Sequence, residues 1–428
     1  MTASPPPTAP ETDVADRDVP LDRVPVAERR GIAAVTVVVV GFLFFTPTMI
    51  TGGEVAAAFD LGTFVVLALV AAAVLALYIA LLGIAGARTG LTTVLLARLV
   101  LGRAGGKWAS LLLGGTQIGW YGITIGVLGE LLSTALDVPA WPVVVVGGIA
   151  MAVTAYKGFR GIELLSWISV PLMVVLCVWV AVGAVGTAGG WSGMLAATGD
   201  GSISAGTALT MMIGTFISGG TQIGNWTRFA AGGRSAFAVT AVAVLAVQSG
   251  MLIFGGLGAI GYGEADFSEI LLLTGSIGLA VLLIVANLWT TNDNAAYAFG
   301  VAGAELTGRA DKGPFVVGGV AVGIVLALTG VADGMTTFLV LLGVLIPPLG
   351  GTIIGTFLGG WRRQDPGTPL DSAPLVRPPG LLAYLGGTVV AALGSVFDLG
   401  IPAVQGVVVA AVLAAVLPAV LGRASERA

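Results

Sequence analysis

From Gly31 onward the chain alternates long apolar runs with short polar breaks, and the runs have the length that crosses a bilayer, about 20 residues. Twelve such runs are centred near residues 41, 74, 120, 149, 174, 217, 248, 283, 323, 346, 388 and 411. Polar residues interrupt the third and the eighth. Continuous runs, rather than alternating ten-residue segments, predict helices and not the strands of a barrel. The pattern therefore predicts an all-α polytopic membrane protein with twelve transmembrane helices. Residues 1–30 break the pattern: M-T-A-S-P-P-P-T-A-P-E-T-D is rich in Pro and acid and carries too little apolar surface to fold. They lack the basic n-region and short h-region of a signal peptide, so a retained, disordered cytoplasmic tail is expected.

Composition agrees with lipid as the main solvent, since 56% of the 428 residues are hydrophobic and only 10% are charged. The charges are sorted by membrane side. All 19 Lys and Arg fall in the tail, in the even-numbered loops between runs, or beyond the last run. The odd-numbered loops carry only acids, such as Glu54, Asp137, Asp200 and Asp398. The positive-inside rule then places both termini in the cytoplasm of a multi-pass cell-membrane protein. Because charge is sorted by membrane side, the net charge of −4 says nothing about nucleic acid, and no nucleic-acid partner is expected. A lone cysteine, Cys177, excludes a disulfide framework, and the absence of histidine excludes His-ligated metals and a His proton relay.

Two runs carry helix-weakening residues near their middle. The first reads G-F-L-F-F-T-P-T-M-I-T-G-G (Gly41–Gly53), with Pro47 inside it; the sixth reads M-I-G-T-F-I-S-G-G-T-Q-I-G-N-W, with Gly219 and Gly220 paired. Both can unwind locally. Unwound backbone at membrane depth is tolerated only around protein or a water-filled cavity, and runs one and six are where a five-plus-five inverted repeat places its broken helices. The competing reading is that small residues simply allow close helix packing. The repeated G-G-T-Q-I-G at Gly114–Gly119 and Gly219–Gly224 falls in runs that such a repeat does not pair, and is read as chance in a glycine-rich chain.

The densest polar constellation is N-L-W-T-T-N-D-N in run eight. At about 100° per residue, Asn287, Thr290, Thr291 and Asn294 share one stripe, flanked by Asn292 and Asp293. Amide and hydroxyl oxygens suit hard cations, and carbonyls exposed by the broken first run could complete a shell. Asp293 is ionisable; it is either functional or, near a cytoplasmic helix end, a structural anchor. In run three, Gln117 and Trp120 share a face. With Phe216 and Asn292 they would form a slot for a flat, hydrogen-bonding heterocycle. Glu130, roughly 15 Å farther along, is read as structural.

L-W-T-T-N-D-N-A-A-Y resembles the signature of bacterial cytosine permeases, within the nucleobase–cation symporters that include hydantoin and allantoin carriers. F-F-T-P-T-M-I-T-G-G, G-A-R-T-G-L-T-T-V-L-L-A-R-L-V-L-G, L-L-L-G-G-T-Q-I-G-W-Y-G and G-T-F-I-S-G-G-T-Q-I-G-N-W-T-R-F resemble that family too, over about Thr36 to Arg363. The resemblance implies a LeuT-like five-plus-five inverted repeat with two additional C-terminal helices. The expected organisation is a tail (1–30), a transport core (31–360, with halves 31–187 and 205–360), a cytoplasmic loop (361–378) and the last two spans (379–428). It implies a substrate stacked between Trp120 and Phe216. The substrate's polar edge would be read at Gln117, Ser218, Gly219 and Asn292, with Phe45 nearby. The family's sodium site maps onto carbonyls of Gly41 and Phe44 and side chains of Asn287, Thr290 and Thr291. Pro47, where a small residue is usual, and Asn225, where an acid is usual, depart from the pattern outside this pocket.

The expected function is Na⁺-coupled import of cytosine by alternating access, with no organic cofactor, no covalent chemistry and no obligatory protein partner. The alternatives are another nucleobase or a hydantoin-like or allantoin-like compound on the same fold, with proton coupling through Asp293 in place of sodium. A passive channel or a membrane enzyme fits less well, because rings of charge and reactive side-chain clusters are missing from the sequence.

Overall fold

The computed structural model describes residues 20–264, 270, 273, 277–331, 335–361 and 370–425. Among these the chain is helical throughout. Each of the twelve expected centres lies in a helix. In chain order these are the pair α1 (Ile32–Leu43) and α2 (Thr46–Ala58), then α3 (Leu61–Thr89), with α4 (Thr93–Leu101) following as a short connector. Next come α5 (Arg103–Leu136), α6 (Ala140–Tyr156), α7 (Phe159–Thr187) and the short α8 (Trp191–Ala196). The second half holds the pair α9 (Ala205–Thr221) and α10 (Gly224–Thr227), then α11 (Gly233–Tyr262), α12 (Ile277–Thr307), α13 (Gly313–Leu328) and α14 (Met335–Thr356). The last two helices are α15 (Pro378–Val396) and α16 (Pro402–Ser425).

Among the described residues seven helices are long and apolar enough to cross a membrane, or eight when the α1–α2 pair, bent by 51°, counts as one span. The remaining expected spans fall short for identifiable reasons. α6 and α13 are apolar but have only 17 and 16 residues, α9 ends early at its break, and the polar stripe of α12 lowers its mean hydropathy.

Both breaks lie a few residues away from where glycine and proline alone would put them. α1 stops at Leu43, Phe44 and Phe45 leave helical geometry, and Pro47 falls in the first turn of α2, where its missing N–H costs nothing. This accounts for Pro47 structurally. Gly219 and Gly220 stay inside α9 because other side chains occupy the space of their missing Cβ atoms. A Cβ at Gly219 would lie 2.9 Å from Phe42 Cζ, and one at Gly220 would strike Ile79. The turn comes at Gln222 and Ile223, just after them. Asn225, the other departure, accepts from Thr93 N (3.2 Å) and so caps α4.

The expected disorder of residues 1–30 is corrected for residues 20–30; residues 1–19 lie outside the described residues. Val24 is buried, its N–H donates to Gly90 O (2.9 Å), and Arg30 N–H donates to Phe229 O (2.6 Å). Arg29 Nη1 reaches Ala87 O at 2.7 Å. The low apolar content that argued for disorder is offset by backbone and guanidinium bonds to the ends of α3 and α10, which sequence alone does not reveal. Residues 362–369 of the expected loop 361–378 lie outside the described residues.

Two apolar clusters form the core. One gathers Phe42, Phe45, Trp120 and Phe216 with the α3 and α4 residues; the other gathers Phe44, Tyr121, Leu288 and Ala295 with α6 and α7. Consecutive residues at 44–45 and 120–121 belong to different clusters, so the break in span one and the middle of α5 lie on the seam. α12 is anchored at its far end by Arg98 Nη1 to Glu305 Oε1, 3.6 Å apart with Glu305 nearly buried.

Candidate functional site

On that seam lies a narrow cavity of about 20 Å³. All seven side chains expected to hold a substrate line it: Phe45, Gln117, Trp120, Phe216, Ser218, Gly219 and Asn292. They come from four elements, the α1–α2 break, α5, α9 and α12. Sequence reasoning missed Phe42, Thr124, Thr215 and Ala295, which line it as well. All four carried a legible signal, Thr215 lying one turn before Ser218. Thr124 is one helical turn past Trp120, Phe42 one turn before Phe45, and Ala295 one turn past Asn292.

The walls are aromatic and held at fixed angles. Phe45 meets Trp120 edge-on, with centroids 5.0 Å apart, and Phe42 meets Phe216 edge-on at 4.9 Å. Phe338 of α14 closes on Trp120 from another side at 5.6 Å. The indole is pinned in plane because Trp120 Nε1 donates to Ser218 Oγ at 3.1 Å. Ser218 thus positions the aromatic wall in addition to facing the cavity.

The polar lining is incomplete without a ligand. Gln117 Nε2, Thr124 Oγ1 and Asn292 Oδ1 are buried and have no hydrogen-bond partner among the described residues. The Asn292 amide is nevertheless oriented, since its Nδ2 donates to Tyr121 O (3.4 Å) and Met151 Sδ (3.5 Å) and leaves Oδ1 free. Leaving such atoms unpaired costs about 1–3 kcal/mol each. A small planar molecule presenting both a donor and an acceptor on its edge would recover that cost.

A second polar cluster adjoins the cavity where α12 crosses the break. Thr291 Oγ1 donates to Phe44 O (3.0 Å) and to Asn287 O (3.2 Å), and Thr290 Oγ1 donates to Asn287 O (2.8 Å). Gly41 lies one turn before Phe44 and is buried. Because α1 ends here, its last carbonyls have no amide in a following turn and are available to another partner. The side chain of Asn287 reaches the break as well. Its Oδ1 accepts from Thr46 Oγ1 (2.9 Å) across the break, and the Asn287 carbonyl is the oxygen shared with the threonines. Neutral carbonyl and hydroxyl oxygens at this density fit a hard monovalent cation, the hydroxyls turning their lone pairs inward when one binds.

Asp293 lies near the middle of α12, fully buried, with Oδ1 accepting from Asn294 Nδ2 at 3.2 Å. It is thus far from a helix end, and it does not line the cavity. Glu130 is exposed near the end of α5.

Comparisons with known proteins agree with this geometry. Residues 23–366 match the family described as permeases for cytosine/purines, uracil, thiamine and allantoin. The cytosine permease of Escherichia coli (strain K12) is 36% identical over 345 residues, covering 80% of this chain and 81% of that protein. Among solved structures, Mhp1, a nucleobase-cation-symport-1 family transporter in a closed conformation with bromovinylhydantoin bound, superposes with a TM-score of 0.81. It does so at 20% identity over 95% of both chains. A Na⁺-coupled sialic acid symporter in a substrate-bound outward-open state shares the fold at a TM-score of 0.67 and 14% identity, over 94% of this chain and 92% of that one. The chain belongs to the cytosine/purine permease family and is a multi-pass membrane transporter, not an enzyme.

Proposed function

We propose that the protein imports cytosine by symport with Na⁺, through alternating access across the cell membrane, with both termini in the cytoplasm. The observation that carries this reading is the pairing of an acceptor, Asn292 Oδ1, with donors, Gln117 Nε2 and Thr124 Oγ1, between Trp120 and Phe216. Cytosine offers an amino donor beside ring-nitrogen and carbonyl acceptors on one flat edge. The base would lie between the aromatic walls with its amino group toward Asn292 and its acceptors toward Gln117. The 36% identity to an Escherichia coli cytosine permease supports the same substrate.

Sodium would occupy the cluster of Gly41 and Phe44 carbonyls with the side chains of Asn287, Thr290 and Thr291. Binding there ties α12 to the break in span one and so orders Phe45 and Asn292 on the cavity side. The transport core is proposed to be 31–360, with its halves 31–187 and 205–360 moving against one another, and the last two spans lying outside it. The buried carboxylate of Asp293, next to Asn292, favours proton coupling as the second reading.

The test is radiolabelled cytosine uptake into proteoliposomes at fixed pH, with and without an inward sodium gradient. Accumulation that requires the gradient is the expected result. Uptake indifferent to sodium and driven by a pH step would transfer the coupling role to Asp293. Active protein that takes up a different base and no cytosine would overturn the substrate assignment.

A further inference from the structure

G-G-T-Q-I-G occurs twice, and each copy leads to a tryptophan: Trp120 directly after the first, Trp226 after the second with Asn225 between. In the first copy Gln117 and Trp120 line the cavity. In the second, Gln222 is 1% exposed and Trp226 0%. Yet Gln222 Oε1, Gln222 Nε2 and Trp226 Nε1 have no hydrogen-bond partner among the described residues. A buried amide with neither end paired costs more than an apolar side chain of its size would, and nothing in this arrangement offsets that cost.

Trp226 stands one aromatic ring away from the cavity. Phe42 lines the cavity and meets Phe216 at 4.9 Å, and the same ring packs on Trp226 with centroids 4.5 Å apart and a tilt of 39°. Gly219, which also faces Phe42, is three residues before Gln222, and Trp226 is four after it. The Gln222 N–H donates to Gly219 O at 3.0 Å, and the Asn225 N–H to Gln222 O at 2.9 Å, so the chain stays tightly wound through the break. Arg30, just before α1, bonds Phe229 three residues past Trp226, so under the positive-inside rule the pair would lie on the cytoplasmic side of the cavity.

We propose that Gln222 and Trp226 form a second, transient station for the transported heterocycle on its way to the cytoplasm, reached when the Phe42 ring turns aside. The ligand class is a flat ring bearing adjacent donor and acceptor groups. It leaves one amide and indole and meets another of the same kind, so its polar edge is not stripped of partners between cavity and water. The inference rests on the proposed function insofar as the substrate is such a heterocycle.

The test uses the full chain. Equilibrium cytosine binding in detergent and counterflow in preloaded proteoliposomes are compared for wild type, Gln222→Leu and Trp226→Phe. The expected result is cytosine affinity within about twofold of wild type and a turnover at least fivefold lower in Gln222→Leu, with Trp226→Phe between. Turnover within twofold of wild type, or affinity lost in parallel with turnover, overturns the station. A second measurement covers misfolding: Gln222→Cys in a Cys177→Ala background, treated from the cytoplasmic side with an impermeant thiol reagent. Labelling that occurs without sodium and is slowed by cytosine supports the proposal, and no labelling under any condition overturns it. If labelling is slowed by another base and not by cytosine, the substrate assignment fails while the station stands.

Discussion

Thr291 Oγ1 lies 3.0 Å from Phe44 O, and the residues next to each of them, Asn292 and Phe45, face the substrate cavity. Thr291 itself lines the cavity, so one side chain belongs to both the proposed cation cluster and the proposed substrate site. This contact is a short physical route for coupling: an ion that fixes Thr291 against Phe44 also fixes the two neighbours that touch the base. Linkage then requires each ligand to raise the other's affinity by the same factor.

Thr291→Ala removes the shared hydroxyl. At roughly 1.4 kcal/mol per tenfold, loss of one such oxygen should raise the half-saturating sodium concentration about tenfold. Cytosine affinity should fall at low sodium and recover at saturating sodium, whereas Thr291→Ser stays near wild type. Sodium titrations of cytosine binding check this. A cytosine affinity in Thr291→Ala that is weakened equally at all sodium concentrations would show that the hydroxyl serves the substrate alone.

Asn292→Ala should weaken cytosine binding by about 1–3 kcal/mol, or roughly five- to 150-fold, because the base's amino group is left buried without an acceptor. Gln117→Ala should cost a similar amount from the donor side. The half-saturating sodium concentration measured without cytosine should be unchanged in Asn292→Ala, since the Asn292 side chain makes no contact with the Phe44 or Asn287 carbonyls. Binding isotherms for each ligand alone separate the two effects.

The positions of these residues were legible in the sequence to the extent that helical spacing fixes a face. Asn292 and Thr291, or Gln117 and Trp120, are local patterns on a single helix, and the cavity collects them as spacing suggests. Relations between distant segments were not legible. The sequence does not reveal that Thr46 bonds the Asn287 side chain across the break, because the bond joins residues 241 positions apart. The same limit explains why residues 20–30 read as tail: their stability comes from the ends of α3 and α10, not from their own apolar content. Pro47 misled for a related reason, since proline at the first turn of a new helix and proline inside an old one look alike until the preceding carbonyls are placed.

The α2–α11 contact gives a prediction about stability that leaves the site chemistry untouched. A Cβ at Gly52 would overlap the backbone carbonyl of Leu252, and one at Gly255 would overlap that of Met49. In both places the obstacle is backbone, which cannot rotate away. Gly52→Ala and Gly255→Ala should each destabilise the folded protein by about 1–3 kcal/mol through forced separation of the helices. Thermal melts in detergent should register the loss, while Gly115→Ala, which meets nothing within 4 Å, should melt like wild type. A Gly255→Ala protein as stable as wild type would mean that α2 and α11 do not touch this closely.

Asp60 caps the exposed start of α3 by accepting from Thr63 N at 3.0 Å, and its bonds to Thr63 hold the carboxyl below the usual aspartate value of 3.8. Its contribution has a definite pH sign. A carboxyl whose pKa is lower in the folded than in the unfolded protein adds stability above the unfolded value, and loses it as pH falls through the folded one. Asp60→Ala should therefore melt below wild type at neutral pH. The gap should stay constant down to about pH 5 and close as the solution is taken below the unfolded carboxyl value near 3.8. Asp60→Asn, which keeps an acceptor but no charge, should recover part of the difference at neutral pH and show no closing of its own. Melting temperatures of the three proteins across that range decide the matter: a gap between wild type and Asp60→Ala that does not change with pH would mean the cap acts without its charge.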